Sequence, residues 1–340
     1  MVFQVGIGFR GKRQWHLKLD WQLQRRLQRC SSYQQIGEPN SVFGGIEAGG
    51  TKFVCGVGMG PDDIRLSSFP TSSPDETIKK AVEFIKEVVG TSLTAVGIGS
   101  FGPIDLNRSS ETYGHITSTP KLAWRNYDFA GSVARALGVP VAFDTDVNAA
   151  ALAEGHWGAT RGIGNFIYLT VGTGIGGGAS VNGSLVHGLV HPEMGHIRVP
   201  HNLSADPFMG ACPYHNDCLE GLASGTALRQ RWGKPANELA DDHQTWDLEA
   251  HYLALALANF VFTLSPERIV LGGGVMKRTL LFPKIREELR NLLNNYVPKL
   301  RDDIDKFIVP PALGNNSGVL GAILLAQKLR SKSVASSETE

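Results

Sequence analysis

The segment GACPYHNDCLEG contains residues that could bind a metal ion. Cys212, His215 and Cys218 supply three soft ligands within seven positions, close enough together to bind one tetrahedral Zn²⁺. His196 and His201 are the nearby candidates for a fourth ligand. Four protein ligands leave no open position for a reactive water, so the sequence predicts a structural zinc site. Chance clustering of small buried residues is the alternative.

A second stretch, FDTDVNAAA, contains a candidate acid-base residue. Asp146 follows a predicted buried strand and opens a predicted helix. A carboxylate at such a junction can accept the proton of a hydroxyl that attacks a phosphoryl group. The structural alternative is that Asp144, Asp146 or Asn148 caps the helix.

Three glycine turns could bind phosphates through their backbone N–H groups: EAGGTK, GTGIGGG and LGGGV, which begin at residues 47, 172 and 271. The pattern G-x-G-x-x-G occurs twice, from Gly97 and from Gly172, but neither match opens a helix, which argues against a dinucleotide-binding fold. The P-loop pattern is absent from the sequence. In HPEMGH the two histidines are five positions apart and share the segment with Pro192 and Gly195, which argues against a metalloprotease helix.

Composition and charge limit the class of protein. The chain has 340 residues, 42% of them hydrophobic, and no apolar run near the roughly 18 residues that a membrane span needs. Four scattered cysteines argue for a reducing, cytoplasmic setting rather than a disulfide framework. Residues 1–42 carry seven basic and two acidic residues, against 26 and 30 in the rest. A nucleic-acid arm or transit peptide is conceivable there, but we expect a poorly ordered extension and assign it no function.

Glycine-turned β-hairpins occur twice about 125 residues apart, first in SVFGGIEAGGTKFVCGVG and then in NFIYLTVGTGIGGGASV, which predicts two α/β lobes on a similar plan. We place the N-terminal lobe at 43–140 with a returning final helix at 317–332, and the C-terminal lobe, with the zinc loop, at 141–316. A helix with a capping box is predicted from Ser73.

Eight motifs in order carry a resemblance to a known family: GIEAGGTK, GIGSFGPID, DTDVNAAALAE, LTVGTGIGGG, HPEMGH, CPYHNDCLEG, IVLGGGV and LGNNSGVLGA. Together they resemble the ROK family of sugar kinases and repressors over residues 43–328. The resemblance implies a two-lobed, actin-like (sugar kinase/Hsp70) α/β fold with a cleft, a cytoplasmic homodimer, and Mg²⁺ with ATP.

The resemblance also implies site residues. Asp146 takes the position of the general base, and His196 that of the first zinc ligand beside Cys212, His215 and Cys218. The implied ATP-binding residues are Glu47, Gly49, Gly50, Thr51, Lys52, Gly172, Thr173, Gly174, Gly272, Gly273 and Gly274. The implied sugar-binding residues are Gly102, Thr145, Asp146, Glu193, His196 and Glu220.

Departures from the common family pattern narrow the substrate. Glu47 stands where an Asp is usual and keeps a carboxylate for Mg²⁺, whereas Thr145 replaces an Asn that would touch sugar hydroxyls. The combination of IEAGGTKFVC, DTDVN and HPEMGH with CPYHxxC is similar to the bacterial fructokinase branch, so we expect ATP-dependent phosphorylation of D-fructose at O6. A kinase for mannose, glucose or another hexose is the alternative. A sugar-sensing repressor is a second class, although 42 residues are too few for its DNA-binding domain.

Overall fold

The computed structural model describes residues 41–90 and 92–337, with side chains up to residue 331. The basic extension predicted for 1–42 therefore lies outside the described residues, except for its last two positions. No helix in the described part of the chain combines the length and hydropathy needed to cross a membrane.

The first half of the described chain forms a five-stranded sheet with two flanking helices. Its elements are β1 (Val42–Ala48), β2 (Lys52–Gly58), β3 (Arg65–Pro70), α1 (Pro74–Val89), β4 (Leu93–Ser100), the short β5 (His115–Ile116) and β6 (Tyr127–Asp128), α2 (Phe129–Leu137) and β7 (Val141–Thr145). The strand order is β3-β2-β1-β4-β7, in which β1, β4 and β7 are parallel and the β1-β2-β3 meander is antiparallel.

The second half repeats this plan. Its elements are α3 (Asp146–His156), β8 (Phe166–Val171), β9 (Ile175–Val181), β10 (Ser184–Leu185), α4 (Leu219–Ala223), α5 (Gly225–Trp232), α6 (Thr245–Leu264), β11 (Arg268–Gly272), α7 (Leu281–Leu293), α8 (Lys299–Phe307), β12 (Ile308–Val309) and α9 (Ser317–Ser337). The order β10-β9-β8-β11-β12 matches the first sheet strand for strand, with antiparallel β8-β9-β10 and parallel β8, β11 and β12. The predicted repeat thus comprises the whole topology of a five-stranded sheet.

One predicted boundary differs from the structure. Residue 141 was expected to open the second lobe, but β7 pairs in parallel with β4 and is the edge strand of the first sheet. The first sheet therefore extends to Thr145, and the chain leaves it only where α3 begins. A strand followed directly by a helix reads the same in sequence whichever sheet it joins.

The final helix, α9, packs against the first sheet. A Cβ atom on Gly97 would lie 1.8 Å from the Ala322 carbonyl oxygen, so glycine is required where helix and strand backbones touch. Ile323 and Ala326 share a buried cluster with Phe43 and Ala95. The end of the chain thus covers the face of the sheet that the beginning forms.

Helix α1 begins as predicted at Ser73 and Pro74, but without the predicted capping box. Ser73 makes no side-chain cap hydrogen bond. Thr77 replaces it: its hydroxyl accepts from the Ser72 N–H at 3.0 Å and donates to the Ser73 carbonyl at 2.8 Å. A threonine one turn into the helix thus makes side-chain hydrogen bonds at this end, to backbone groups other than those that the box would have used.

Candidate active site

Asp146 is the first residue of α3 and lies directly after the edge strand β7. Thr145 caps this helix, because its hydroxyl oxygen accepts from the Asn148 N–H at 3.1 Å. The cap is therefore none of the three residues that the sequence offered for that role. Asp146 Oδ1 accepts from the adjacent Val147 N–H at 2.9 Å, and burial raises the pKa of the Asp146 carboxyl to about 6. A carboxylate with that pKa is ionised near neutrality and able to accept a proton.

Asp144 forms a separate network. Its Oδ2 lies 2.9 Å from His187 Nε2, and its Oδ1 accepts from the Asn148 side-chain amide and the Thr145 N–H, both at 2.8 Å. These hydrogen bonds occupy both oxygens of a buried carboxylate. The hydrogen bond to Asp144 raises the pKa of His187. Asp144 therefore stabilises the strand-to-helix junction, and Asp146 remains the candidate acid-base residue.

The three glycine turns converge. The first and second turns meet at two exposed threonines, with Thr51 Oγ1 3.4 Å from Thr173 Oγ1. The second and third lie side by side, since a Cβ on Gly172 would stand 3.9 Å from the Gly274 nitrogen. Gly273 has φ +93°, and a Cβ there would lie 2.4 Å from the Val171 carbonyl oxygen, so only glycine fits. Residues more than 200 positions apart thus form one backbone-lined site.

Glu47 precedes the first turn. It lies on β1 against the N-terminus of α9, where a Cβ on Gly318 would be 2.4 Å from its Cδ. Its Oε2 is buried without a hydrogen-bond partner. Burial, and next the charge of Asp146, raise the pKa of Glu47 to about 7, while Lys52 opposes the shift. A buried carboxylate oxygen without a donor is suited to a cation or its bound water.

The predicted sugar contacts Glu193 and Glu220 lie near Asp146 and the second glycine turn. Glu220 Oε2 accepts from the Ile175 N–H at 2.8 Å and presses against Gly174, whose absent Cβ would be only 2.4 Å away. Glu193 is 39% exposed; partial burial, then the charges of Glu220 and Asp146, raise the pKa of its carboxyl to about 7. The raised pKa indicates carboxylates gathered around a common space.

The four predicted zinc ligands also converge. All their ligand atoms lie within 4.8 Å of one another. The nitrogens of His196 and His215 are 3.3 Å apart, and the nitrogen-sulfur separations involving Cys212 and Cys218 are 3.6–3.7 Å. A tetrahedral Zn²⁺ with ordinary bond lengths needs edges of about 3.3 Å between nitrogens and about 3.5 Å between nitrogen and sulfur. Four of the six donor separations therefore approach those of a tetrahedral zinc site, and the cluster is a possible Cys/His metal site.

His201, the other sequence candidate for the fourth ligand, lies elsewhere. Its Nε2 is 3.0 Å from the Asp206 carbonyl oxygen and its Nδ1 is 3.4 Å from Asp217 Oδ2. Asp206 also accepts from Arg231 at 3.0 Å and Tyr252 at 2.7 Å. His201 thus belongs to a polar network beside the Cys/His cluster.

Sequence reasoning overlooked two histidines of this region. His187 pairs with Asp144, and His191 accepts a hydrogen bond from the Ile104 N–H at 3.2 Å. Both partners are distant in sequence, so the only available signal was the position of His191 inside HPEMGH. That motif suggested a ligand pair with His196 and concealed the contact with the other lobe.

Comparison with known proteins agrees with this geometry. The ROK family model matches residues 43–329. A protein of Bacillus subtilis is 49% identical over 301 residues, which cover 87% of this chain and 99% of the relative. The fructokinase of Lactococcus lactis subsp. cremoris is 44% identical over 292 residues, covering 85% of this chain and 98% of that protein.

Among solved structures, a ROK family glucokinase from Streptomyces griseus in complex with glucose and AMPPNP is 27% identical and has a TM-score of 0.67, covering 84% of this chain and 99% of that one. The predicted fold class, a two-lobed actin-like sugar kinase fold, is confirmed by these similarities. With a family model that spans nearly all described residues, the chain belongs to the ROK family of sugar kinases.

Proposed function

We propose that the chain phosphorylates D-fructose to fructose 6-phosphate with Mg·ATP, and that Asp146 is the general base. The observation that carries this proposal is that the charge of Asp146 acts both on Glu47, which precedes the first glycine turn, and on Glu193, a predicted sugar contact. A phosphate donor on one side and a polyhydroxyl acceptor on the other would meet at this carboxylate.

In the proposed reaction, Asp146 takes the proton of the O6 hydroxyl as that oxygen attacks the γ-phosphorus. The new bond joins O6 to phosphorus, the bond from phosphorus to the β-γ bridging oxygen breaks, and ADP leaves with its electron pair. Backbone N–H groups of the Thr51 and Thr173 turns bind the phosphates, and Lys52 offsets their negative charge. Closing the cleft would exclude water from the transferring group.

Glu47 fits the proposed magnesium. Its unpartnered buried Oε2 and raised pKa are what a carboxylate shows when a cation belongs beside it. When bound, Mg²⁺ supplies charge neutralisation of the β- and γ-phosphate oxygens. Replacing the usual Asp by Glu keeps this carboxylate chemistry with one extra methylene of reach.

For the Cys/His cluster we propose a structural Zn²⁺. The separations among the donors of His196, Cys212, His215 and Cys218 support a closed tetrahedral site. Such an ion would fix the loop that leads from Glu193 to Glu220. Because thiol ligands persist in reducing compartments, we also propose a cytoplasmic enzyme, and we retain the homodimer implied by the family as a prediction.

Fructose is the proposed substrate because the Lactococcus relative is named a fructokinase. Glucose is the main alternative, since the Streptomyces neighbour was solved with that sugar. Thr145 bears on this choice, because its hydroxyl oxygen already accepts from the Asn148 N–H and offers the sugar less than an asparagine amide would.

A coupled assay of ADP release across fructose, glucose, mannose and N-acetylated amino sugars tests the proposal. We expect kcat/KM for fructose to exceed that for every other sugar by at least about tenfold, a preference of about 1.4 kcal/mol. A higher value for glucose or mannose would reassign the substrate. Absence of sugar-dependent ADP release with every sugar would contradict the kinase itself.

A further inference from the structure

His191 is a buried histidine that connects the two lobes at the sugar side of the cleft. Its ring is 4% exposed and belongs to the segment that leads to Glu193. The Ile104 N–H, from the turn that follows β4 in the first lobe, donates to His191 Nε2 at 3.2 Å. Gly102 in the same turn packs on the ring, since a Cβ there would lie 3.2 Å from His191 Cε1.

The hydrogen bond from Ile104 fixes the tautomer of the ring. Burial lowers the pKa of His191, so the imidazole is neutral near pH 7 and carries one N–H. Nε2 accepts a hydrogen bond and therefore has no hydrogen, which places the N–H on Nδ1. This N–H donates to the Pro192 carbonyl and is shared with Glu193, since Nδ1 also lies 3.5 Å from Glu193 Oε1.

The ionised form of Glu193 is stabilised by a nearby hydrogen-bond donor such as the His191 N–H. It is a partly buried carboxyl that two other acidic groups, Glu220 and Asp146, already disfavour as an anion. A neutral N–H donor aimed at Oε1 favours the ionised, acceptor form without adding charge to the site. Catalytic hydrogen bonds that are long without substrate can shorten when the substrate binds.

We propose that His191 is a positioning residue for sugar binding: Nε2 locks the HPEMGH segment to the Ile104 amide of the first lobe, and Nδ1–H orients the Glu193 carboxylate. It acts through Glu193 and through the lobe contact, without touching the sugar. This inference rests on the proposed role of Glu193 in binding the hexose.

Three substitutions separate the Ile104 hydrogen bond from the contacts of Nδ1. His191→Gln places an acceptor near the position of Nε2, His191→Asn places a donor near that of Nδ1, and His191→Ala removes both. Steady-state kinetics should show KM for the sugar about tenfold higher in His191→Ala, the cost of leaving a buried N–H unsatisfied, and an intermediate KM in the other two variants. KM for ATP should change less than about twofold, since the phosphate turns are untouched.

A double-mutant cycle with Glu193→Gln distinguishes positioning from general loosening. If His191 acts through Glu193, adding His191→Ala to Glu193→Gln should raise the sugar KM by less than about threefold, well below its effect alone. Multiplication of the two effects, a wild-type sugar KM in His191→Ala, or an equal rise in the KM for ATP would each overturn the proposal. Thermal melting of each variant checks folding.

Failure of the proposed function would look different. The wild-type enzyme is first assayed with the sugar panel, and the cycle then uses whichever hexose gives the highest kcat/KM. A wild type that prefers another hexose changes the proposed substrate and leaves the His191 test intact. A wild type without sugar-dependent turnover contradicts the kinase, and sugar titration by tryptophan fluorescence then tests His191 on binding alone.

Discussion

The Cys/His cluster and the carboxylates of the cleft adjoin each other along one stretch of chain but are arranged in opposite ways. In the cluster, two thiols and two imidazoles, which can bind the same cation, bring their donor atoms within 4.8 Å of one another. In the cleft, like-charged carboxyls face one another, their pKa values are raised, and an oxygen of Glu47 has no partner. The first arrangement suits holding the chain in one conformation. The second stays unfavourable until ligands arrive, which suits a reaction site.

The same contrast, between carboxylates that are fully hydrogen-bonded and those that are not, distinguishes three glutamates. Glu154 is fully buried, but it accepts from Ala159, Ala312 and Leu313 N–H groups and from the Ser317 hydroxyl at 2.6–3.1 Å. A carboxylate satisfied on every side is structural. Glu47, which has one oxygen without a donor, and Glu193, which is partly exposed beside other carboxyls, are the ones we assign to ligands.

The largest expected effect comes from removing the proposed base. Asp146→Asn should lower kcat by about a thousandfold, because general-base catalysis typically contributes 10²–10⁴-fold, while leaving sugar binding measurable. Asp144→Asn is the matched control two residues away. It loses the contact with His187, so it should destabilise the junction yet keep kcat within about tenfold. Kinetics and fluorescence titration measure both. Similar losses of kcat in the two variants would contradict the separate roles that we assign to Asp146 and Asp144.

Breaking the Cys/His cluster should have the next largest effect. With Cys212→Ser and Cys218→Ser combined, bound zinc should fall from about one equivalent to none, and the sugar KM should rise roughly 10- to 100-fold as the loop from Glu193 to Glu220 loosens. Cys55→Ala, a change in the core of the first lobe, should retain the metal. Metal analysis of chelator-washed protein measures the zinc that each variant retains. Wild-type protein that washes free of zinc would contradict the structural site.

The smallest expected effect is a pair of opposed pH dependences. Activity requires ionised Asp146, whose pKa is about 6, so kcat/KM at pH 5 should be about a tenth of its plateau. Stability should move the other way. The folded pKa lies above the unfolded value of about 3.9, so this carboxyl favours the fold most below pH 4, and that contribution is lost as pH rises through 6.

Thermal melting between pH 4 and 8 tests the second half of this prediction. Asp146→Asn should melt at a higher temperature than wild type at pH 8, and the difference should shrink toward pH 4, because only the wild type has the buried charge. A constant difference in melting temperature across that range would show that the ionised Asp146 does not destabilise the fold. The carboxylates would then resemble the Cys/His cluster more than we infer.

Several features of the fold were predictable because they depend on local pattern. The glycine-turned hairpins, the strand before Asp146 and the start of α1 at Pro74 all follow from short-range periodicity and turn chemistry. The predictions that failed concerned which side chain makes the hydrogen bonds at a helix start. At α1 these come from Thr77 and not from the predicted capping box, and at α3 Thr145 is the cap in place of the expected Asp or Asn. Sequence shows which residues can compete for a backbone group but not which one succeeds.

The sequence by itself determined which chemistry is available: a Cys/His donor set, three glycine turns, and Asp146 at a strand-to-helix junction, in an order that specifies the ROK family. How these groups work together depended on the tertiary structure. It placed His201 in a separate polar network, assigned β7 to the first sheet, and brought Ile104 to His191. Those decisions depend on contacts between residues dozens of positions apart, which packing settles and local pattern does not record.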